Sequence, residues 1–167
     1  EGIPVKRFRY APAAWETLTH ESGATNKIRR NRLYMALLPA YLAAGAWHVR
    51  QLCHETAWDV VHVHWPMPQG LLALVGCRPG LRTVNTFYGA DLALARKSGL
   101  LIGLLKRIVA RSAAVTAISR YTGRQLTQLT GVTLPIIPYG IDMTPRQSAD
   151  AGEKPAPYEL LTVGRLI

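Results

Sequence analysis

Hydrophobic and polar positions along this chain change between two periods, and the change predicts strands separated by helices. Short alternating or β-branched runs predict strands over residues 3–10, 59–64, 81–86, 113–118 and 134–138. Apolar residues at three- and four-residue steps predict helices over residues 26–55, 69–75, 100–112 and 119–129. Pro39 should kink or divide the first helix. The strands are apolar enough to be covered on both faces, so we expect a Rossmann-like α/β domain with a doubly wound parallel sheet.

The pattern changes after residue 140, which predicts a domain boundary there. Residues 1–140 contain the alternating strands and helices, whereas residues 141–157 are polar and rich in proline, as is typical of an exposed linker. Residues 158–167 are apolar again and predict the first strand of a second, truncated domain. A chain of 167 residues has room for one ordinary domain, so we do not expect a complete two-domain enzyme.

Composition and charge narrow the class of partner. Hydrophobic residues make up 49% of the chain and charged residues 18%, which excludes an intrinsically disordered protein. Twenty Lys and Arg against ten Asp and Glu give a net charge of +10, which favours an anionic partner. The basic residues are dispersed and follow no nucleic-acid-binding motif, so we expect no nucleic acid partner. An acidic membrane surface and a phosphorylated small molecule remain.

The basic segment 96–111 allows two interpretations. It combines Lys and Arg with an apolar stripe at helical spacing, as in helices that lie on an anionic membrane surface. The same pattern also suits a helix that packs on the core with a solvated basic side.

The cysteines and the hydropathy of the chain bear on its location. Cys53 and Cys77 lack metal-ligand spacing, so we expect reduced thiols, and no run is long and apolar enough to predict a membrane span. We therefore expect a cytoplasmic protein, with peripheral association at the inner membrane face as an option.

His62 and His64 lie two residues apart on a predicted strand and so point to the same face of the sheet. Such a pair can hold a divalent metal, which makes a metal-dependent hydrolase one alternative. The later strands supply no further histidine, so we expect no metal site. The other interpretation is that one imidazole packs and hydrogen-bonds, while His64 sits at the carboxyl end of its strand, where ligands bind in open α/β sheets.

The turn after the next strand carries a second set of candidate residues. Tyr88 offers a hydroxyl group, Gly89 allows a sharp turn or a close ligand approach, and Asp91 suits the start of a helix. Ser119 likewise suits the N-cap of the following helix. These residues fit an ordinary strand-to-helix turn as well as a binding site, and their chemistry alone does not decide between the two.

Four motifs in order give the chain a resemblance to a known family. They are Asp-Val-Val-His-Val-His-Trp-Pro at residues 59–66, Thr-Phe-Tyr-Gly-Ala-Asp at 86–91, Ala-Ile-Ser-Arg-Tyr-Thr at 117–122 and Ile-Pro-Tyr-Gly-Ile-Asp at 137–142. The chain resembles the N-terminal half of glycosyltransferase family 4 enzymes, which are retaining, metal-independent transferases with the GT-B fold. Residues 161–166 are similar to the first strand and turn of that family's C-terminal domain.

The resemblance implies roles for particular residues. The nucleotide-sugar, linked to UDP or GDP, would lie mostly on the C-terminal domain and the acceptor on the N-terminal one. Arg165 matches the position that neutralises the donor diphosphate. Tyr88 stands where many members have His in a turn that contacts the donor sugar, while Gly89 and Asp91 are kept. The implied site residues for donor or substrate are Tyr88, Gly89, Asp91, Ser119, Tyr139, Gly140 and Arg165, and the catalytic candidates are Tyr88 and His64.

The implied reaction is transfer of a hexosyl unit to a glycan or lipid-linked acceptor, in cell-envelope polysaccharide synthesis, without a cofactor. The family's Gly-rich loop and its Glu-x7-Glu motif would lie before and after these residues, so we expect this chain alone to be inactive. The alternative is a non-catalytic module that binds an anionic glycan or lipid.

Overall fold

Three parallel strands joined through helices form the core of this domain. A computed structural model describes residues 4–16 and 32–140. The strands are β1 (Val60–His64), β2 (Arg82–Phe87) and β3 (Ala114–Ala117). The helices are α1 (Leu37–Glu55), α2 (Pro66–Gly76), α3 (Ala90–Ala95), α4 (Gly99–Arg111) and α5 (Arg120–Thr130), with short 3₁₀ turns at Ala13–Trp15 and Arg32–Ala36. The expected Rossmann-like α/β domain is confirmed.

The sheet has the order β1-β2-β3, and its register decides which side chains share a face. Val63 lies opposite Asn85, and Thr86 lies opposite Thr116. Because side chains alternate along a strand, odd-numbered residues such as Phe87 face one layer of helices, and even-numbered residues such as Thr86 face the other side. The described helices α2 to α5 form one of the two layers that doubly wound folds place on a parallel sheet.

The main core lies between this helix layer and the sheet. Phe87, Leu92, Leu105 and Leu126 are fully buried, and they come from β2, α3, α4 and α5 in turn. Burying a side chain of this size stabilises the fold by about 2–3 kcal/mol relative to leaving it in water. The core therefore holds the helices that follow each strand against the sheet, and this fixes the positions of the strand ends.

Two predicted strands are not strands in the structure. Residues 4–10 form no strand, and Phe8 instead packs on α1, with its ring centroid 5.3 Å from that of Tyr41. The alternating pattern of this segment is therefore satisfied by packing on a helix. Residues 134–138 make a single parallel bridge, between Ile136 and Ala117 at the free edge of β3.

Helix boundaries differ from the prediction where proline and aspartate are involved. Residues 26–31 of the predicted helix 26–55 lie outside the described residues, and the rest changes from 3₁₀ to α geometry at Leu37. Pro39 therefore lies in the first α-helical turn, where its missing N–H group costs no hydrogen bond. The helix predicted at 69–75 begins earlier, at Pro66. Helix α3 lies between the predicted strand 81–86 and the predicted helix 100–112, where the apolar periodicity predicts no helix. The predicted helices 100–112 and 119–129 are confirmed as α4 and α5, and Ser98 and Ser119 cap their first turns.

Helices α1 and α2 pack unusually closely because glycines lie at their contact. A Cβ atom on Gly76 would come within 2.6 Å of the Ala46 carbonyl oxygen and 2.9 Å of the Val49 Cβ. A Cβ atom on Gly45 would come within 2.9 Å of the Leu72 side chain. The two helix backbones therefore approach at a distance that only glycine permits at these positions.

The cysteines lie near this helix contact. Cys53 is buried on α1, Cys77 follows α2, and both are free thiols. Burial, together with the neighbouring Cys53, raises the pKa of Cys77 to about 12. Since the thiolate is the reactive form, the Cys77 side chain is a poor nucleophile at neutral pH.

The basic helix presents its apolar stripe to the core. Leu105, Ile108 and Val109 of α4 are buried, and the basic side chains of the segment are exposed. The core-facing interpretation of residues 96–111 is therefore correct for the apolar stripe.

No helix in residues 4–16 and 32–140 has the length and hydrophobicity that a membrane crossing requires. The predicted linker 141–157 and the predicted strand 158–167, which includes Arg165, lie outside the described residues.

Candidate substrate-binding edge of the sheet

The carboxyl ends of β1 and β2 bring two predicted residues into contact. His64 is the last residue of β1 and Tyr88 directly follows β2. The His64 Nδ1 atom and the Tyr88 hydroxyl group form a hydrogen bond. Neighbouring parallel strands end at the same edge of a sheet, and for this reason residues 24 positions apart meet there. The two catalytic candidates thus lie at one place.

Two further aromatic rings lie against Tyr88. The Trp65 ring stacks on it at a centroid distance of 5.4 Å and an angle of 18°, and the Tyr139 ring lies 5.8 Å away. Trp65 is 47% exposed and Tyr139 is 66% exposed. We refer to His64, Trp65, Tyr88 and Tyr139 together as the aromatic edge. Its open ring faces suit contact with the apolar face of a sugar ring.

Trp65 was not singled out from the sequence. Its backbone adopts the left-handed conformation, with φ at 61°, directly between β1 and α2. This conformation is uncommon for a bulky residue, and strained backbone of this kind clusters at functional sites. The signal available in the sequence was a Trp-Pro pair immediately after a buried strand, at the edge where ligands bind.

The Tyr88-Gly89 turn is held by a buried carboxylate. Asp91 is 1% exposed, and its Oδ1 atom accepts hydrogen bonds from the Gly89 amide at 2.7 Å and the Leu92 amide at 3.0 Å. Its Oδ2 atom accepts a hydrogen bond from the Tyr88 amide at 3.2 Å. Gly89 has φ at +103°, a conformation that favours glycine. Asp91 thus caps α3 from within the first turn and fixes the direction of Tyr88.

Electrostatics at the aromatic edge keep Tyr88 in its neutral form. Burial raises the pKa of Tyr88 above its usual value of 10, and neighbouring Tyr139 raises it further. At neutral pH the Tyr88 hydroxyl is therefore a hydrogen-bond donor and acceptor but not a base. Burial also raises the pKa of the Asp91 carboxyl group, although the amides that donate to it oppose this.

His62 takes part in a polar chain across all three strands. Its Nε2 atom lies 2.8 Å from the Thr86 hydroxyl, which lies 2.8 Å from the Thr116 hydroxyl. Burial and the neighbouring His64 lower the pKa of His62, so the neutral imidazole is favoured. Within residues 4–16 and 32–140, no group of three His, Cys, Asp or Glu side chains is arranged to hold a metal ion. The hydrolase alternative gains no support from this geometry.

The remaining predicted site residues differ in how close they come to the aromatic edge. The Ser119 hydroxyl accepts a hydrogen bond from the Thr122 amide at 3.1 Å and is the N-cap of α5. The Thr122 hydroxyl lies 3.6 Å from where a Gly89 Cβ would be, so the start of α5 adjoins the turn. Gly140 is exposed, with open space around it in the described structure.

Comparison with known proteins is consistent with this arrangement. The model of one family, described as Glycosyltransferase Family 4, matches residues 8–144, which is most of the chain. No curated protein matches the chain. The matched range contains the three strands, α1 to α5 and the whole aromatic edge. The chain belongs to Glycosyltransferase Family 4, as an N-terminal domain of that family.

Proposed function

We propose that this domain supplies the acceptor side of a retaining, metal-independent glycosyltransferase. The reaction would move a hexosyl unit from a UDP- or GDP-linked sugar to a glycan or lipid-linked acceptor, in cell-envelope polysaccharide synthesis. Tyr88, Gly89, Ser119, Tyr139 and Gly140 would line the substrate site, with the buried Asp91 holding their turn from beneath, and Arg165 would neutralise the donor diphosphate. A guanidinium group is suited to this task because it can form two parallel hydrogen bonds with a phosphate.

The observation that carries the proposal is the Asp91-held turn at the aromatic edge. It fixes the Tyr88 hydroxyl beside His64 at the carboxyl ends of β1 and β2. Sugar hydroxyls need hydrogen-bonding partners in fixed positions, and a positioned group contributes more to transfer than a mobile one. His64 and Tyr88 together can accept a hydrogen bond from a sugar hydroxyl and donate one to it. The rings of Trp65 and Tyr139 would then cover the face of the sugar ring.

A nucleotide-sugar screen tests the reaction. The test uses this domain joined to a C-terminal nucleotide-sugar domain, which we call the joined protein. In the presence of membrane or glycan acceptors, the joined protein should release UDP or GDP from one sugar donor. Arg165→Ala should weaken donor binding at least about tenfold, because a charge-assisted contact with the diphosphate is lost. The affinity is measured by calorimetry. Release of no nucleoside diphosphate from any donor would favour the non-catalytic binding module, and unchanged affinity would refute the role of Arg165.

Replacing Tyr88 with phenylalanine should reduce turnover more than stability. The ring contacts with Trp65 and Tyr139 survive this change, whereas the hydroxyl that meets His64 is lost. We expect kcat to fall about tenfold or more, as for loss of one positioned hydrogen bond in a transition state. Tyr121→Phe is the matched control, since Tyr121 is 72% exposed on α5. Equal kinetics of the two variants would show that Tyr88 only shapes the turn.

An anionic membrane surface is a proposed partner of the basic side of α4. Lys106 and Arg107 are exposed, and their apolar neighbours Leu105 and Ile108 are buried in the core. Contact with a membrane would therefore be electrostatic, at about 1 kcal/mol for each basic residue near the surface. Reversing both charges with Lys106→Glu and Arg107→Glu should reduce sedimentation with phosphatidylglycerol vesicles. Sedimentation equal to that of the unaltered chain would exclude this face as the contact.

A further inference from the structure

A second cleft lies at the end of the sheet opposite the aromatic edge. It has a volume of about 420 Å³ and lies between α2 and α4, over the first half of β2. Its lining includes Arg82 at the start of β2, Arg111 at the end of α4, and Arg78 in the turn that follows α2. The cleft takes no part in the proposed transfer reaction.

The three arginines of the cleft have no acidic partner within residues 4–16 and 32–140. None of them forms an ion pair or a hydrogen bond through its side chain with any residue in the part of the chain that the structure describes. None of the described residues that line the cleft carries a carboxylate, and residues 92–140 contain no Asp or Glu at all. Three guanidinium groups around one concave surface concentrate positive potential there and attract an anion.

The turn that carries Arg78 is sharply defined. The Leu81 amide donates a hydrogen bond to the Arg78 carbonyl oxygen at 3.2 Å, with Pro79 and Gly80 between them. Gly80 has φ at +86°, as a type II turn requires at its third position. The backbone of Arg78 is therefore held in place beside the cleft rather than in a long loop.

An orphaned polar atom lies in the floor of the same cleft. Asn85 is 2% exposed and lines the cleft, and its Oδ1 atom is buried with no hydrogen-bond partner among the described residues. A buried acceptor without a donor is costly, and native proteins rarely leave one. A hydroxyl group of a bound molecule would supply the missing donor.

The neighbouring hydrogen bonds determine which end of the Asn85 amide is unpartnered. The Ser112 hydroxyl donates its only proton to the Ile108 carbonyl oxygen at 2.7 Å. The Asn85 atom that lies 2.8 Å from Ser112 Oγ must therefore be the donating Nδ2. The unpartnered atom is then the acceptor Oδ1. The floor of the cleft therefore suits a hydrogen-bond donor, whereas the arginines at its rim suit an anion.

We propose that this cleft binds a phosphorylated polyol, with its phosphate on Arg78, Arg82 and Arg111 and one of its hydroxyl groups on Asn85. Free sugar phosphates and the inositol headgroup of a phospholipid share this chemistry. Arginine matches phosphate because its fork of N–H groups fits two phosphate oxygens at once. The proposal does not depend on the transfer reaction, because the cleft and the aromatic edge lie at opposite ends of the strands.

Calorimetric titration of the 167-residue chain tests the site with three soluble probes. Glucose 6-phosphate should bind, inorganic phosphate should bind at least roughly tenfold more weakly, and glucose should not bind, because both the charge and the hydroxyl are needed. Phosphate binding as tight as that of glucose 6-phosphate would overturn the polyol assignment. Binding to vesicles that contain phosphatidylinositol is compared with binding to phosphatidylserine vesicles. Stronger binding to the phosphatidylinositol vesicles would indicate a lipid headgroup, and equal binding to both would indicate a free sugar phosphate.

A matched arginine outside the cleft separates this site from general positive charge. Arg111→Ala should weaken glucose 6-phosphate binding at least about tenfold, whereas Arg124→Ala, which removes an exposed arginine of α5, should change it less than about twofold. Asn85→Ala should narrow the preference for glucose 6-phosphate over phosphate. Equal loss in the two arginine variants, or absence of binding by every probe, would refute the proposal.

Discussion

Replacing Asp91 with alanine should lower the free energy of unfolding by about 3 kcal/mol, since the partly buried amides of Tyr88 and Gly89 lose the buried carboxylate that accepts their hydrogen bonds. The loss would also free the turn that directs the Tyr88 ring. Asp91→Asn should cost less, because its one carbonyl oxygen can still accept the bond from Gly89. Urea unfolding followed by circular dichroism measures the free energy of unfolding of the unaltered chain and of both Asp91 variants at the same pH.

Asp59→Ala is the matched control for this experiment. Asp59 is exposed just before β1 and accepts no hydrogen bond from a described residue, so its removal should leave stability nearly unchanged. If Asp91→Ala cost no more than Asp59→Ala, the carboxylate would not be what holds the turn. Activity of the joined protein should fall with Asp91→Ala even under conditions where the fold persists.

Gly76→Ala should destabilise the domain by about 2–3 kcal/mol, the usual cost of forcing extra volume into a packed contact. The new methyl group would meet the Ala46 carbonyl oxygen at 2.6 Å and Val49 at 2.9 Å. A backbone oxygen cannot rotate away as a side chain can, so α1 and α2 must move apart. Thermal and urea unfolding both measure the loss.

Gly103→Ala provides a control of opposite sign. Gly103 lies inside α4 with nothing within 4 Å of its would-be Cβ atom. Alanine restricts the unfolded chain and favours the helix, so this variant should gain about 0.5–1 kcal/mol. If Gly76→Ala and Gly103→Ala destabilised the domain to the same extent, any side chain would be tolerated poorly at glycine positions in this fold. The close contact between α1 and α2 would then not be the reason for the effect at Gly76.

The order of strands and helices could be predicted from the sequence, because apolar periodicity records which faces are buried. β1, β2, β3, α4 and α5 all lie close to their predicted ranges. The pattern could not show that Phe8 would pack on a helix, because an alternating segment satisfies either a sheet or a helix surface. It also missed α3, whose six residues are too few for a helical period to be visible.

The candidate site was predictable in its members but not in its contacts. His64 and Tyr88 could be assigned to the same edge because parallel strands end together, whereas their mutual hydrogen bond depends on the register of β1 against β2. The sequence showed Asp91 as suited to a helix start, but not that three amides would converge on it. Trp65 escaped notice because its left-handed backbone is a property of the folded turn.

The polar chain from His62 through Thr86 to Thr116 also protects the fold against misalignment. Sliding β1 by one residue would break the hydrogen bond between His62 and Thr86, and sliding β3 by one residue would break that between Thr86 and Thr116, because each shift turns the side chains of the moved strand to the opposite face. The polar chain thus helps to specify the observed register of the three strands, and Thr86→Val or Thr116→Val, which keeps the shape of threonine, would remove this contribution.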